Sequence, residues 1–230
     1  LGGAIESVVW ESNGELLKTK MISDDKSLLG EIELKSNISS DFDGLKLGVF
    51  KTSQIVKILS VLDDEIDISL NVVSDHPKSI KLSDKFTKTN FALSDLAVIP
   101  NVPALKAENI PSKFEVSIKI NEHFINTFTK AKAALPDVVT FAVNATAKKT
   151  ELILGQTDVN TNTITLSTEV DKTEAIEKLF FNAELFKEVL VANKEAEAVF
   201  MVSKEGLGKI VYDTKEYKAT YYLVAKTQDI

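Results

Sequence analysis

Residues 47–70, LGVFKTSQIVKILSVLDDEIDISL, constrain the fold more tightly than any other stretch of the chain. Leu47 and Val49 open an apolar strand, Ile55, Val56, Ile58, Leu59 and Leu62 recur at helical spacing, and Ile66, Ile68 and Leu70 alternate with a period of two. An acidic turn of Asp63, Asp64 and Glu65 separates helix from second strand. The helix must bury its apolar stripe on a sheet, which leaves Ser53, Lys57 and Ser60 on a face without any acid. The same arrangement returns at residues 179–202. There Asn182 caps a helix whose Leu185, Phe186 and Val189 match Ile55, Val56 and Leu59, and Lys187 matches Lys57. Glu195 and Glu197 make the turn, and Ala198, Phe200 and Val202 alternate. This is an internal repeat of pattern, and it points to two related domains.

The remaining segments read as short antiparallel strands. Asn13-Gly14 separates alternating runs at 5–10 and 16–22, and both residues tolerate the positive φ of a tight hairpin. A turn at 23–26 leads into a run at 28–34 and a polar loop at 37–44; strands near 80–82 and 86–93 follow the opening unit. Residues 96–111 hold Pro100, Pro103 and Pro111 among Val98, Ile99, Val102, Leu105 and Ile110 without any period, so they form a connector. Its apolar residues either lie partly buried on the surface or line a binding groove. Phe114, Val116, Ile118 and Ile120 then alternate, and Asn121 caps a helix that Pro136 stops, with Phe124, Ile125, Phe128, Ala131 and Leu135 inward and His123, Asn126, Thr127 and Lys130 outward. Strands near 138–143, 150–154 and 163–166, an acidic irregular segment at 169–177, and a turn at 205–208 followed by strands at 210–212 and 218–225 complete the chain.

With 230 residues and 44% hydrophobic content, the chain can fill one large or two modest cores. A net charge of −7 argues against bulk attraction to nucleic acid or an anionic membrane, so any basic surface must be local. Every basic residue other than histidine is a lysine. Without Arg, the residue best suited to bidentate guanine readout, sequence-specific DNA recognition is not expected, whereas point-charge contacts to phosphate remain open; an AT-rich genome would produce the same bias. The absence of Cys removes disulfides, thiolate nucleophiles and Cys-type zinc sites. No apolar run approaches the roughly 20 residues of a membrane span, so a soluble protein is expected.

No catalytic constellation stands out. His76 and His123 have no partner at metal-ligand spacing, and there is no phosphate loop or nucleophile elbow. Asp63, Asp64, Glu65 and Asp67 are the one candidate cation cluster, yet they lack the glycine of a calcium loop's sharp turn. A small hydrolase or metal-dependent nuclease using Asp63, Asp64 and Asp67 is the enzymatic alternative. Asp41-Phe42-Asp43-Gly44 reads as a turn. What remains is lysine: Lys57, Lys130 and Lys187 each oppose the core stripe of a different helix, with Lys51, Lys132 and Lys194 on or near the same helices.

Taken together, the 47–70 unit, the SIKINEHFINTFTKAKAAL segment and the ending IVYDTKEYKATYYLVAK resemble the DNA sliding clamps, above all those of T-even-type bacteriophages within the family of proliferating cell nuclear antigen. The resemblance spans nearly the whole chain and includes no diagnostic catalytic motif. It implies an α+β fold of two similar domains, antiparallel sheets with helices on one inner face: residues 1–95, a connector at 96–112, and residues 113–230. Clamps of this family begin with a further helix before the first hairpin, and this sequence starts at the expected end of that helix, Leu1-Gly2-Gly3-Ala4. The resemblance further implies a non-enzymatic homotrimeric ring, without cofactor, that encircles duplex DNA, tethers a replicative polymerase and is opened by an ATP-dependent loader. Lys51, Lys57, Lys130, Lys132, Lys187 and Lys194 would face DNA. Thr89, Phe91 and Leu93 would join Thr163, Thr165 and Ser167 of the next chain. Leu28, Ile99, Leu105, Tyr222 and Val224 would line the pocket for a partner's peptide, although Tyr222 and Val224 equally suit plain strand positions. The location implied is the cytoplasm of an infected bacterium. The alternative within the same fold is a monomeric viral polymerase accessory protein that binds DNA without encircling it.

Overall fold

The computed structural model describes residues 5–36, 38–63, 65–155, 162–168 and 170–226, and for residues 171 and 172 the backbone alone. The chain divides into two compact units. The first comprises Leu1–Ile22, Glu31–Pro103 and Lys215–Lys218, the second Ser23–Gly30, Ala104–Thr214 and Ala219–Ile230. These limits differ from the sequence boundaries at 95 and 112. The turn at 23–30 groups with the second unit because Val224 N donates to the Ser27 carbonyl at 2.9 Å, and residues 215–218 group with the first, where Lys35 N donates to the Glu216 carbonyl at 2.8 Å.

In the first unit, β1 (Ser7–Ser12) pairs antiparallel with β2 (Leu17–Ile22) across the predicted Asn-Gly turn. Asn13 Oδ1 accepts from the amides of Glu15 and Leu16, and Gly14 takes a φ of +91°. The order of this sheet is β4 (Lys46–Phe50), β1, β2, β3 (Leu28–Leu34). A second sheet has the order β5 (Asp67–Val73), β6 (His76–Ser83), β7 (Lys88–Ala92), and α1 (Thr52–Leu59) joins β4 to β5. The connector forms short 3-10 turns at Leu96–Val98 and Ala107–Asn109.

The second unit repeats this plan and adds to it. One sheet runs β11 (Ile164–Ser167), β10 (Thr150–Leu154), β9 (Thr140–Ala145), β13 (Ile176–Asn182), the counterpart of β3-β2-β1-β4. After β13 comes α3 (Ala183–Ala192), as α1 follows β4. Then β14 (Ala198–Val202), β15 (Leu207–Asp213) and β16 (Tyr217–Val224) match β5, β6 and β7, with β8 (Val116–Ile120) and β12 (Val170–Lys172) extending the sheet beyond β14. Residues 169–177, read from sequence as irregular, thus supply β12 and the start of β13; strand pairing outweighs their acidity. The additional helix α2 (Glu122–Ala134) packs on α3.

The cores differ in content. In the second unit Phe128, Phe141, Phe181, Phe186 and Phe200 are all fully buried, with Phe186 ring to ring against Phe128 at 4.9 Å and Phe141 at 4.8 Å. In the first unit Trp10, Leu17, Ile32, Ile55, Leu59 and Ile80 line an apolar cavity of about 360 Å³.

Each unit also seals one sheet edge with the chain that leaves its last strand. Ser94 N donates to the Gly48 carbonyl of β4 at 2.9 Å, and Lys226 N to the Phe180 carbonyl of β13 at 2.7 Å. A Cβ on Gly48 would lie 2.4 Å from the Ser94 carbonyl oxygen, so only glycine permits the first crossing.

Candidate nucleic-acid and partner interface

The helices set the basic side chains. Lys51 stands at the start of α1 with a left-handed φ of 58°, and the first turn is held by backbone: Thr52 N donates to the Glu6 carbonyl at 3.0 Å and the Thr52 hydroxyl to that of Ile5. Lys51 and Lys57 are exposed, and no carboxylate pairs with either among the described residues. On α2, Asn121 Oδ1 accepts from Phe124 N at 2.9 Å, the cap expected from sequence, and Lys130 is exposed. Asn182 caps α3 likewise, accepting from the amides of Glu184 and Leu185 at 3.0 Å.

Two of the predicted DNA-facing lysines are otherwise engaged. Lys132 is only 7% exposed; its Nζ donates to the Pro136 carbonyl at 2.7 Å and lies 3.5 Å from the Glu184 carboxylate. It is a strut between α2, the chain that follows it and α3. Lys187 bonds the same Glu184 one turn earlier on α3. That hydrogen bond, followed by the charges of Lys187 and Lys132, holds the Glu184 carboxyl below its ordinary range. Lys187 is therefore ion-paired within α3. Lys194 lies 3.7 Å from Glu195, both exposed. Lys51, Lys57 and Lys130 are the open cations of the predicted set.

Among the residues predicted to receive a partner's peptide, Leu28 is fully buried and Ile99 8% exposed, so both serve the core as they stand. Ile99 nevertheless borders an open cavity of about 690 Å³ in the first unit, between connector residues Leu96 and Val102 and the strand residues Val9 and Thr19. Ion pairs rim it: Lys46 to Glu11 at 2.7 Å and Lys20 to Glu31 at 3.6 Å. In the second unit Leu105 is half-buried, Tyr222 stands 5.8 Å from Lys209 Nζ, and Val224 is 49% exposed at the end of β16. Nearby, Asp25 ties three segments together. Its carboxylate accepts from the Ser23 and Ser27 hydroxyls at 2.7 Å, from Lys226 Nζ at 2.8 Å and from Asn182 Nδ2 at 3.3 Å. Burial opposes ionisation, but the bonds from Lys226, Ser27 and Ser23 together hold Asp25 far below the usual carboxylate range.

The predicted joining strands are both sheet edges: β7 pairs with β6 alone and β11 with β10 alone among the described residues. Thr165 and Ser167 of β11 are exposed, with Thr163 just ahead of it; Thr89 is half-buried, Phe91 is core, and Leu93 lies just past β7. The turn before β7 carries a residue to which sequence reading gave no role. Phe86 is 80% exposed, and Lys85 Nζ sits 5.3 Å from its ring centroid.

Among the described residues the candidate cation cluster is not assembled. Asp64 lies outside the described residues, Asp63 N is bonded to Asp84 Oδ2 at 2.8 Å, and no group of three or more His, Asp and Glu suited to a metal exists among the described residues. His76 and His123 are exposed, Asp41 accepts from Leu70 N in a 3-10 turn, and no described helix is long and apolar enough to cross a membrane.

Comparison with known proteins finds no matching family model and no matching curated protein. Among solved structures, the proliferating cellular nuclear antigen of Entamoeba histolytica superposes with a TM-score of 0.73 at 16% identity, over 99% of this chain and 92% of that one. The chain therefore has the antiparallel, two-part α+β fold of that antigen along its full length.

Proposed function

We propose that this chain is the subunit of a DNA sliding clamp, a ring of three copies that encircles duplex DNA and tethers a replicative polymerase. The full-length likeness to a proliferating cellular nuclear antigen carries the reading. Lys51, Lys57 and Lys130, exposed in a net acidic protein, supply point-charge contacts to phosphate that need no base readout and permit sliding. An ATP-dependent loader is required to open a closed ring. The partner's peptide docks on the first unit, where the connector cavity beside Ile99 offers apolar surface.

Light scattering tests the assembly and is expected to give a trimer mass. Retention on DNA tests the topology. A ring stays on circular DNA at salt concentrations that release it from linear DNA of the same length, whereas a monomeric accessory protein leaves both alike.

A further inference from the structure

Phe86 is an exposed apolar residue on a hydrogen-bonded turn. Asp84 Oδ1 accepts from the amides of Phe86 and Thr87 at 2.7 and 2.6 Å, and its Oδ2 takes Asp63 N, so the turn is fastened both to itself and to the segment after α1. Those backbone bonds, Asp63 first, depress the Asp84 carboxyl and keep it an acceptor. A turn whose backbone is ordered before binding loses little conformational freedom when its side chain is buried. On the second unit, a cavity of about 350 Å³ opens between the end of β11 and the first turn of α2. Leu166 and Phe124 give it an apolar floor, each under 10% exposed, and His123, Thr127, Ser167 and Thr168 form its rim.

We propose that Phe86 of one copy docks into this cavity on the next copy, as a knob that fixes the register of the subunit contact. The inference rests on the ring reading, because it is antiparallel pairing of β7 with a neighbour's β11 that brings the two features together. In that pairing the start of β7, at Lys88, faces the end of β11, at Ser167. Phe86 lies just ahead of the one and the cavity just beside the other. A head-to-tail contact of this kind uses different surfaces on the two copies and closes only at a fixed rotation, so a register-setting knob has a clear use. The occupant is thus a second copy of this chain.

The chain contains no cysteine, which allows a direct test. The double variant Phe86→Cys, Ser167→Cys, oxidised at dilute protein concentration, is expected to yield a covalent trimer on a denaturing gel. Either single variant is expected to run as a monomer. In parallel, Phe86→Ala is expected to raise the concentration at which the assembly dissociates by about tenfold to a hundredfold, with Phe86→Trp retaining most of the affinity. If Phe86→Ala assembles like the parent and the cysteine pair fails to cross-link, while Thr89→Pro in β7 disrupts the trimer, the ring stands and the knob is overturned. A parent protein that stays monomeric at all concentrations overturns both.

Discussion

Helices α1 and α3 occupy the same place in two copies of one plan, yet they are buried to very different degrees. On α3, Leu185, Phe186, Val189 and Leu190 are all at most 7% exposed. On α1 only Ile55 is buried; Ile58 and Leu59 are half-buried, and Val56, the counterpart of Phe186, is 60% exposed. The sequence stripes are alike, so the difference arises from what the helices pack against. Helix α2 lies on α3 and fills the second unit with aromatic rings, whereas the first unit has an apolar cavity beside α1. An amphipathic stripe therefore states what a helix can bury, and the neighbouring element decides how much of it is buried.

The sharpest way to break this comparison is to truncate matched positions. Phe186→Ala should cost about 3–5 kcal/mol in urea unfolding, because four rings lose a partner in a closed core. Ile55→Ala should cost about 2 kcal/mol, since it enlarges a space that is already open. Equal losses would mean that the two cores are packed alike. The edge crossings offer the next contrast, because the one at Lys226 carries an ion pair with Asp25 and the one at Ser94 has no such carboxylate among the described residues. The folded-state pKa of Asp25 is depressed, so its stabilisation is present above the unfolded value near ~3.9 and fades as pH falls toward the folded value. Asp25→Asn should remove about 1 kcal/mol at neutral pH and flatten the acid limb of the stability curve, the exposure of the pair keeping the effect small. Amide exchange near Phe180 should quicken in the variant while that near Gly48 does not.

Charge reversal separates the helices in a different way. Lys57→Glu should weaken duplex DNA binding by several-fold and lower the salt slope by about one, while Lys187→Glu should do less, since Glu184 already holds that ammonium. Equal effects in titrations at two salt concentrations would show that the Glu184 pair opens on DNA. The smallest effect belongs to Val56→Ala, expected to stay within about 0.5 kcal/mol because the side chain is exposed. A larger loss would show that α1 is covered in solution.

Much of the fold was legible from local chemistry. Asn121 and Asn182 cap their helices as read, Asn13-Gly14 makes the first hairpin, and the repeat of 47–70 at 179–202 marks α1-β5 and α3-β14. What was missed depends on partners distant in sequence. The strand at 170–172 exists because β8 is there to pair with it, and an acidic stretch read alone gives no sign of that. Among the site residues, helical periodicity placed Lys57 and Lys130 outward, as found. It could not show that Lys132 reaches the Pro136 carbonyl or that Glu184 claims Lys187, because long, flexible lysines choose their partner after the backbone is set. Leu28 is core for a similar reason: alternation assigns a face, but what covers that face is tertiary. Phe86 passed unremarked because an exposed aromatic looks the same in sequence as a buried one.

The edge crossings also bear on how the chain folds. In each unit the closing bond joins residues separated by the same length of chain, 48 to 94 in the first and 180 to 226 in the second. Loop closure over equal lengths carries the same entropic penalty, so neither crossing is the slower for reasons of chain length. Order is then set by synthesis: residue 94 emerges from the ribosome long before residue 226, and the first edge can be sealed while the second unit is still being made. During that interval an open β4 would be free to recruit another nascent chain, and Ser94 removes the opportunity early.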